Sequence, residues 1–195
     1  MLAHGFTRML VVADSLQSRP ELTAQALEGP TPFAGAGLWH VPVEHDGNTS
    51  SSAEEVERVV EIWGQLTCGD VQWCDQEGRR RPLRADDILI VAPYNAHVGA
   101  LGERLPSARI GTVDKFQGQE APVVIYSMAT SSPEEVPRGM EFLFSLNRMN
   151  VATSRARCVC ILVANPRLFE PDCRTPRQIQ LANVFCRYLE LAQQI

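Results

Sequence analysis

The most informative stretch of the chain runs from Leu146 to Arg157 and has the sequence Leu-Asn-Arg-Met-Asn-Val-Ala-Thr-Ser-Arg-Ala-Arg. It predicts a short helix, followed directly by an apolar strand from Cys158 to Ala164. On this helix Arg148, Ala152 and Arg155 recur at helical spacing, so the two guanidinium groups share one face. Arginine suits an anion such as a nucleotide triphosphate, because its planar fork binds phosphate oxygens in pairs. A solvated helix face is the alternative, and the neighbouring motif favours the anion site.

That motif extends from Gly111 to Glu120 and has the sequence Gly-Thr-Val-Asp-Lys-Phe-Gln-Gly-Gln-Glu. The apolar run Val123 to Met128 comes soon after it. We expect one strand to end near Thr112 and the next to begin shortly after Glu120. Because ligands of open α/β sheets bind at the carboxyl ends of the strands, this connecting segment is a candidate binding site.

Four apolar runs predict strands, and the last three are continuous, which is typical of strands covered by helices on both faces. The runs are Leu38–Val43, Ile88–Ala92, Val123–Met128 and Val159–Ala164. The predicted helices are Ser51–Leu66, Ala96–Leu105, Leu146–Arg157 and Thr175–Gln193. Ser51 and Glu54 predict a capping box at the first helix. Thr175 and Gln178 predict another at the last one, with Pro176 between them. The alternation of strands and helices predicts an α/β fold with a mostly parallel sheet.

Three motifs together resemble superfamily 1 helicases. The segments Gly111–Glu120 and Leu146–Arg157 resemble motifs V and VI of the 1B group, and Ala92-Pro-Tyr-Asn-Ala-His97 is similar to a further signature of that group. The motifs follow the family's order over residues 88–164, which makes the match more specific than a lone pattern. The sequence from Val41 to the carboxyl terminus also resembles bacterial proteins that join such a helicase to a RecB-like nuclease domain.

The resemblance implies the three-layer RecA-like fold of P-loop NTPases and a role as the second RecA-like domain of a helicase. A helicase motor needs a Gly-x-x-x-x-Gly-Lys-Ser/Thr loop for the phosphates and magnesium, and this sequence has none. Its only lysine, Lys115, lacks that glycine spacing. We therefore expect ATP and Mg²⁺ to be bound mainly by an N-terminal RecA-like domain outside this chain. Residues 1–37 are then an N-terminal remnant, and residues 38–195 form the second RecA-like domain.

The resemblance also implies roles at the nucleotide. Arg155 matches the motif VI arginine finger, which stabilises charge on the transferred phosphoryl group and accelerates related NTPases by about 10³ to 10⁵. Glu120 matches the motif V glutamate, which contacts the nucleotide. Arg157 points away from Arg155 on an ideal helix, so we assign it to structure or to the domain interface. The nucleotide-binding set is completed by Gln117, Gly118 and Arg148.

Two further groups of residues match the family's contacts with single-stranded nucleic acid, which we expect to be DNA in preference to RNA. The first group, from motif V, is Thr112, Val113 and Asp114. The second group is Pro93, Tyr94 and Asn95. An amide can bond a phosphate and a tyrosine can stack on a base, although Tyr94 fits a core position equally well. The expected partners are thus the strand, the N-terminal RecA-like domain and a nuclease domain of the same polypeptide.

The composition excludes several classes of protein. With 195 residues and a net charge of −5, the chain lacks the basic balance of a general nucleic-acid binder, so any strand contact is local to one groove. It has no apolar run of about 18 residues and no signal-peptide pattern, so we expect a cytoplasmic protein without a membrane partner.

The cysteines and histidines do not predict a metal site. No Cys-x-x-Cys pair occurs, and the four histidines supply no ligand set at matching spacing. Cys158 and Cys160 alternate along a strand and are expected on one face of the sheet. We therefore expect buried, reduced thiols, and a capping or packing role for His97.

Other function classes fit the sequence less well. A non-catalytic binding or interaction module with a relic helicase fold has no need for both a trans-acting arginine and a nucleotide-facing carboxylate, so Arg155 and Glu120 argue against it. A Rossmann-type enzyme would need a Gly-x-Gly-x-x-Gly turn after a strand, and the sequence has none. The run Arg79–Arg81 fits a solvated face better than a nucleic-acid site.

Overall fold

A parallel six-stranded sheet forms the centre of the computed structural model, which describes residues 25–116 and 118–195. In chain order the strands are β1 (Ala26–Glu28), β2 (Gly37–Pro42), β3 (Gln72–Cys74), β4 (Arg80–Pro82), β5 (Ile88–Val91), β6 (Arg109–Gly111), β7 (Ala121–Ser127), β8 (Ala156–Ala164) and β9 (Gln193–Gln194). The α-helices are α1 (Ala53–Thr67), α2 (Asn95–Arg104), α3 (Met140–Leu143), α4 (Leu146–Arg155) and α5 (Pro176–Leu191). The strand order of the central sheet is β6-β5-β7-β8-β2-β9, and every neighbouring pair is parallel.

Helices cover both faces of this sheet, which gives the three-layer α/β architecture that the sequence predicts. On one face α1 and α2 pack against Ile88, Ile90 and the alternate residues of β7 and β8. On the other face α3, α4 and α5 pack against Leu89, Val91 and the remaining positions. Every residue of β7 is buried, as expected for a strand between two helical layers. Within the described ranges, no helix is both long and apolar enough to cross a membrane.

Local sequence signals placed the helices to within a few residues. The capping box of α5 is confirmed, because the Thr175 hydroxyl accepts from the Gln178 N–H and the Gln178 side chain accepts from the Thr175 N–H. The predicted box at α1 is wrong by one residue. Ser52 is the cap of α1, since its hydroxyl accepts from the Glu55 N–H at 3.1 Å. Glu54 instead accepts from the Asn48 amide.

The helix of the Leu146–Arg157 motif ends at Arg155, and its last two residues begin β8. A register shift follows at once, because Ala121 pairs with Ala156 while Val123 pairs with Val159. This bulge adds one residue to β8, so the side chains that follow it lie on the opposite face of the sheet from the one that simple alternation predicts.

The predicted common face for Cys158 and Cys160 is therefore wrong. Cys158 packs with the α1–α2 layer and Cys160 with the α5 layer. Burial raises the pKa of each thiol to about 12, so both are protonated and unreactive at neutral pH.

A second, antiparallel sheet with the order β1-β3-β4 was not anticipated. Its strand β1 lies in the predicted N-terminal remnant, where Phe33 contacts Trp39 and Leu27 is buried in the same core cluster. Its β3–β4 hairpin carries the three consecutive arginines. Each of them pairs with carboxylates, Arg79 with Asp75 and Glu77, Arg80 with Glu28, and Arg81 with Asp87. The run is therefore neutralised locally, in agreement with a solvated face.

Candidate functional site

The carboxyl ends of β5 and β6 open into a cleft of about 370 Å³, which we call the carboxyl-edge cleft. Because β5 and β6 are parallel neighbours, the segments that follow them meet at the same edge of the sheet. The predicted strand contacts Pro93, Tyr94, Asn95, Thr112 and Asp114 all line this cleft. The side chain of Val113, the sixth predicted contact, is buried in the core instead.

The structure favours the core alternative for Tyr94. Its side chain is only 7% exposed, and its ring stacks on Phe142 with the ring centres 5.6 Å apart. The Thr130 hydroxyl lies 3.5 Å from the Tyr94 hydroxyl, and burial raises the pKa of Tyr94. Tyr94 thus forms a wall of the cleft, whereas Asn95 is exposed at the start of α2.

A second group of predicted residues lies at the opposite edge of the sheet, where β7 and β8 begin. The Arg157 Nε donates to Glu120 at 3.1 Å, and both side chains are about half exposed. Arg155 ends α4 and is half-buried, and its Nε has no partner among the described residues. Gly118 has φ +77° and open space where a Cβ would lie. We call Gly118, Glu120, Arg155 and Arg157 the amino-edge site; Gln117 lies outside the described residues.

Helix α4 separates two arginines that the sequence placed on one face. The helix leads straight into β8 and therefore runs from the carboxyl edge of the sheet to its amino edge. Seven residues of helix correspond to about 10 Å along the axis, so Arg148 and Arg155 lie at different edges. Arg148 lines the carboxyl-edge cleft together with Arg138 and Phe142. No motif marks Arg138 or Phe142, because Arg138 ends the segment Ser131–Arg138, whose prolines and acidic residues are typical of an exposed loop, and Phe142 follows it.

The connection from β6 to β7 crosses the same face of the sheet. It contains the 3₁₀ helix Val113–Phe116, whose end residues are buried in the core shared with α4. The Lys115 ammonium donates to the Ile110 carbonyl at 2.6 Å, and its alkyl chain occupies the space that a Cβ on Gly111 would need. The only lysine of the chain thus holds this connection in place, and Gly111 makes that close approach possible.

The fold and the motifs agree with comparisons to known proteins. Residues 8–167 match the protein family described as AAA domain. The chain belongs to this AAA domain family. Its similarity to helicases, given next, and its parallel RecA-like sheet support a superfamily 1 helicase domain, as the motifs predict.

Three curated relatives illustrate this similarity. The probable RNA helicase armi of Drosophila melanogaster is 39% identical over 104 residues, which cover 48% of this chain and 9% of that protein. The DNA polymerase alpha-associated DNA helicase A of Schizosaccharomyces pombe is 38% identical over 85 residues, which cover 41% of this chain and 12% of that protein. The regulator of nonsense transcripts 1 homolog of Drosophila melanogaster is 32% identical over 97 residues, which cover 44% of this chain and 8% of that protein. The matched region spans about a tenth of the length of these relatives.

Beside the cleft of this helicase domain lies a buried hydrogen-bond network centred on Glu55 of α1, which has no exposed surface. Its carboxylate accepts from His45 Nε2 at 3.0 Å, from the Ser127 hydroxyl at 2.6 Å and from the Ala129 N–H at 2.9 Å. Ala129 has φ +68°, a left-handed conformation that is unfavourable for a residue with a Cβ. Glu55 therefore stabilises a strained loop directly after β7.

The network continues through His97, which is also fully buried. Its Nδ1 accepts from the Ser52 N–H at 3.4 Å, so the proton lies on Nε2, which donates to the Ser127 hydroxyl at 2.7 Å. Burial lowers the pKa of His97, and this effect outweighs that of the Glu55 carboxylate, which acts in the opposite direction. His97 is thus a neutral packing residue, as predicted, that ties α2 to the first turn of α1.

Replacing Glu55 tests whether the network stabilises the fold. In Glu55→Ala three buried donors lose their acceptor, so the free energy of unfolding should fall by about 3–5 kcal/mol. Glu57→Ala is the matched control, because Glu57 pairs with Arg104 at the surface of the same helix and should cost less than about 1 kcal/mol. Urea unfolding followed by circular dichroism measures both values. Equal losses in the two variants would contradict a stabilising role for the network.

The stability of the domain should fall as the pH is lowered from about 6.5, the ordinary pKa of histidine. Burial lowers the folded-state pKa values of His97 and His40. As the pH is lowered, the unfolded chain therefore binds these protons before the folded chain does, and the free energy of unfolding decreases below about pH 6.5. Each histidine contributes up to about 1.4 kcal/mol per pH unit until its folded-state pKa is reached. In His97→Gln the decline in urea midpoint between pH 7.5 and 5.5 should be smaller than in the parent. An unchanged decline would show that His97 is not held neutral.

Proposed function

We propose that this chain is the second RecA-like domain of an ATP-dependent nucleic-acid helicase. It supplies an arginine finger and part of the grip on a single strand to a phosphate-loop domain outside this sequence. One observation carries the proposal. Glu120 and Arg155, which match nucleotide contacts, lie at one edge of the parallel sheet. Five of the six residues that match strand contacts line the cleft at the opposite edge, together with Arg148. Helix α4 and the β6–β7 connection join the two edges across a common face.

The amino-edge site supports the nucleotide part of the proposal. Most arginines in the described part pair with carboxylates, whereas Arg155 forms no ion pair there and its Nε has no partner. A guanidinium without a local counter-ion at the edge of the domain can approach a phosphate bound by another domain, where it stabilises the charge that develops on phosphoryl transfer. The neighbouring surface pair of Glu120 with Arg157 is worth less than about 1 kcal/mol, so the carboxylate can exchange Arg157 for a ribose hydroxyl.

The phosphate-loop domain would hold ATP and Mg²⁺, and this chain would complete the site. Closure of the cleft between the two domains around ATP would bring Arg155 and Glu120 to the nucleotide, and release of phosphate after hydrolysis would remove the charge that favoured closure. The strand contacts move with the same rigid domain.

The carboxyl-edge cleft supports the strand part of the proposal. The exposed Asn95 amide and the half-buried Thr112 hydroxyl offer hydrogen bonds to phosphate oxygens. The side chains of Tyr94 and Val113 are buried, Tyr94 in the wall of the cleft and Val113 in the core, so only their backbone groups remain for contact with a strand. The relatives include an RNA helicase and a DNA helicase by name, so the substrate is proposed as single-stranded nucleic acid of either kind. We leave a nuclease partner out of the proposal, because the matched relatives reported above are not named as nucleases.

The 195-residue chain alone should not hydrolyse ATP, because the groups that hold the phosphates and magnesium belong to the other domain. Phosphate release with and without single-stranded nucleic acid measures this turnover. Activity that co-purifies with the chain and disappears in Arg155→Ala would overturn the two-domain proposal.

In the intact helicase, Arg155→Lys should lower ATP turnover by about 10³-fold or more while strand affinity stays nearly unchanged, since lysine keeps the charge but loses the two-pronged contact. Asn95→Ala should show the opposite pattern, with weaker strand binding, less strand-stimulated turnover and a surviving basal rate. Steady-state turnover and oligonucleotide anisotropy measure both quantities.

Arg177→Lys is the control for the arginine replacement, because Arg177 is exposed on α5 and belongs neither to the lining of the carboxyl-edge cleft nor to the amino-edge site. Equal and modest losses of turnover and strand affinity in Arg155→Lys would mean that the end of α4 is a structural face. They would also favour a binding module with a relic helicase fold.

A further inference from the structure

Two arginines of the carboxyl-edge cleft lie against one aromatic ring. The Cζ atoms of Arg148 and Arg138 are 4.0 and 4.8 Å from the centre of the Phe142 ring, which itself stacks on Tyr94. The two guanidinium groups are therefore separated by no more than the sum of these distances. Three consecutive segments converge here, because Arg138 precedes α3, Phe142 belongs to α3 and Arg148 belongs to α4.

No carboxylate among the described residues pairs with either of these two charges. Neither Arg138 nor Arg148 takes part in an ion pair there, whereas the three arginines of the β3–β4 hairpin and Arg187 of α5 have carboxylate partners. Among the described residues that line the cleft, Asp114 is the one carboxylate, and it is exposed. The cleft thus carries a net positive charge in a chain whose net charge is −5. Two like charges held close together repel each other, and an anion between them removes that repulsion.

The Phe142 ring holds the two guanidinium groups near each other although neither has a carboxylate partner among the described residues. A guanidinium is attracted to the face of an aromatic ring, and its N–H groups then point outward in the plane of the fork. Phe142 in turn is supported by the buried ring of Tyr94. The ring therefore orients the donors of the exposed Arg138 and of the half-buried Arg148 at the cleft.

We infer that Arg138, Phe142 and Arg148 form a phosphate-binding element for the backbone of single-stranded nucleic acid. The inference rests on the proposed function and extends it, because it assigns Arg148 to the strand rather than to the nucleotide and adds two residues that no motif marked. The element lies in the same cleft as Asn95 and Thr112, so the two sets contact neighbouring phosphates. Since guanidinium groups contact phosphate oxygens and no base edge, binding here is independent of sequence.

The salt dependence of strand binding tests this element in the intact helicase. For single strands the slope of log Kobs against log[salt] is about −0.7 for each phosphate contact. Arg138→Ala and Arg148→Ala should each make the slope less steep by about 0.7 and weaken binding by about tenfold or more. The probes are labelled oligo(dT) and oligo(rU), followed by anisotropy. The matched control Arg177→Ala should leave slope and affinity unchanged.

Replacing Phe142 distinguishes the orientation of the two guanidinium groups from their charge, because the charges remain while the ring is lost. Phe142→Leu keeps both guanidinium groups but removes the surface that orients them, so affinity should fall several-fold while the slope stays close to that of the parent. Arg148→Lys should likewise retain the slope and lose affinity. An affinity equal to that of the parent in Phe142→Leu would overturn the role of the ring.

Free phosphate and nucleotides also carry phosphate oxygens that two arginines could bind, and competition in the anisotropy assay distinguishes them from a nucleic-acid strand. Inorganic phosphate or ATP at millimolar concentration should not displace the oligonucleotide, and Arg148→Ala should leave the KM for ATP unchanged. A raised KM for ATP with unchanged strand affinity would place Arg148 at the nucleotide and overturn the inference. Strand binding by the parent that neither arginine replacement affects would also overturn it, with the proposed function intact. Absence of strand binding in the parent itself would instead remove the proposed function.

Discussion

The parallel pairing of β7 with β5 and β8 is the constraint on which the rest of the structure depends. Because all three strands run in one direction, each connection between them must return from the carboxyl edge to the amino edge across a face of the sheet. The β6–β7 connection and α4 both make this return on the face that α5 covers. Each therefore has one end in the carboxyl-edge cleft and the other end beside Arg155 or Glu120. The sheet thus determines that two sites of different chemistry are joined by short, packed segments.

The sequence predicted β5, β7 and β8 of the central sheet because these strands are buried on both faces and their apolar runs are continuous. It did not predict the exposed edge strand β9, whose first residue, Gln193, was assigned to the last helix. The small antiparallel sheet escaped prediction because its strands are three residues long and two of them flank a polar turn. The bulge between Arg157 and Val159 escaped for a different reason. An apolar run shows that a strand is buried, but the pairing partner fixes the register, so Cys158 and Cys160 fell on opposite faces of the sheet.

The candidate site was predictable as a set of residues but not as an arrangement in space. Motif positions identified Asn95, Thr112, Glu120 and Arg155 along the chain. Their division between two edges follows from the direction of each strand, which the motifs alone do not give. Arg148 shows the difference, because helical periodicity placed it on one face with Arg155 while the length of α4 carried it to the other edge. Arg138 and Phe142 left no signal in the sequence, since their common position arises from the packing of α3 against the cleft.

The network around Glu55 gives this arrangement its rigidity. A fully buried carboxylate is tolerated only where donors surround it. Those of Glu55 come from the loop before α1, from the end of β7 and from the loop that follows β7. Thr130 extends the link, because its hydroxyl donates to the Thr49 carbonyl and contacts the Tyr94 hydroxyl in the wall of the cleft. If the domain works as proposed, this linkage helps to transmit movement from the amino edge of the sheet to the strand contacts in the cleft. A cleft wall tied to the sheet cannot relax independently, so a displacement of α4 at the amino edge moves the strand contacts as part of one body.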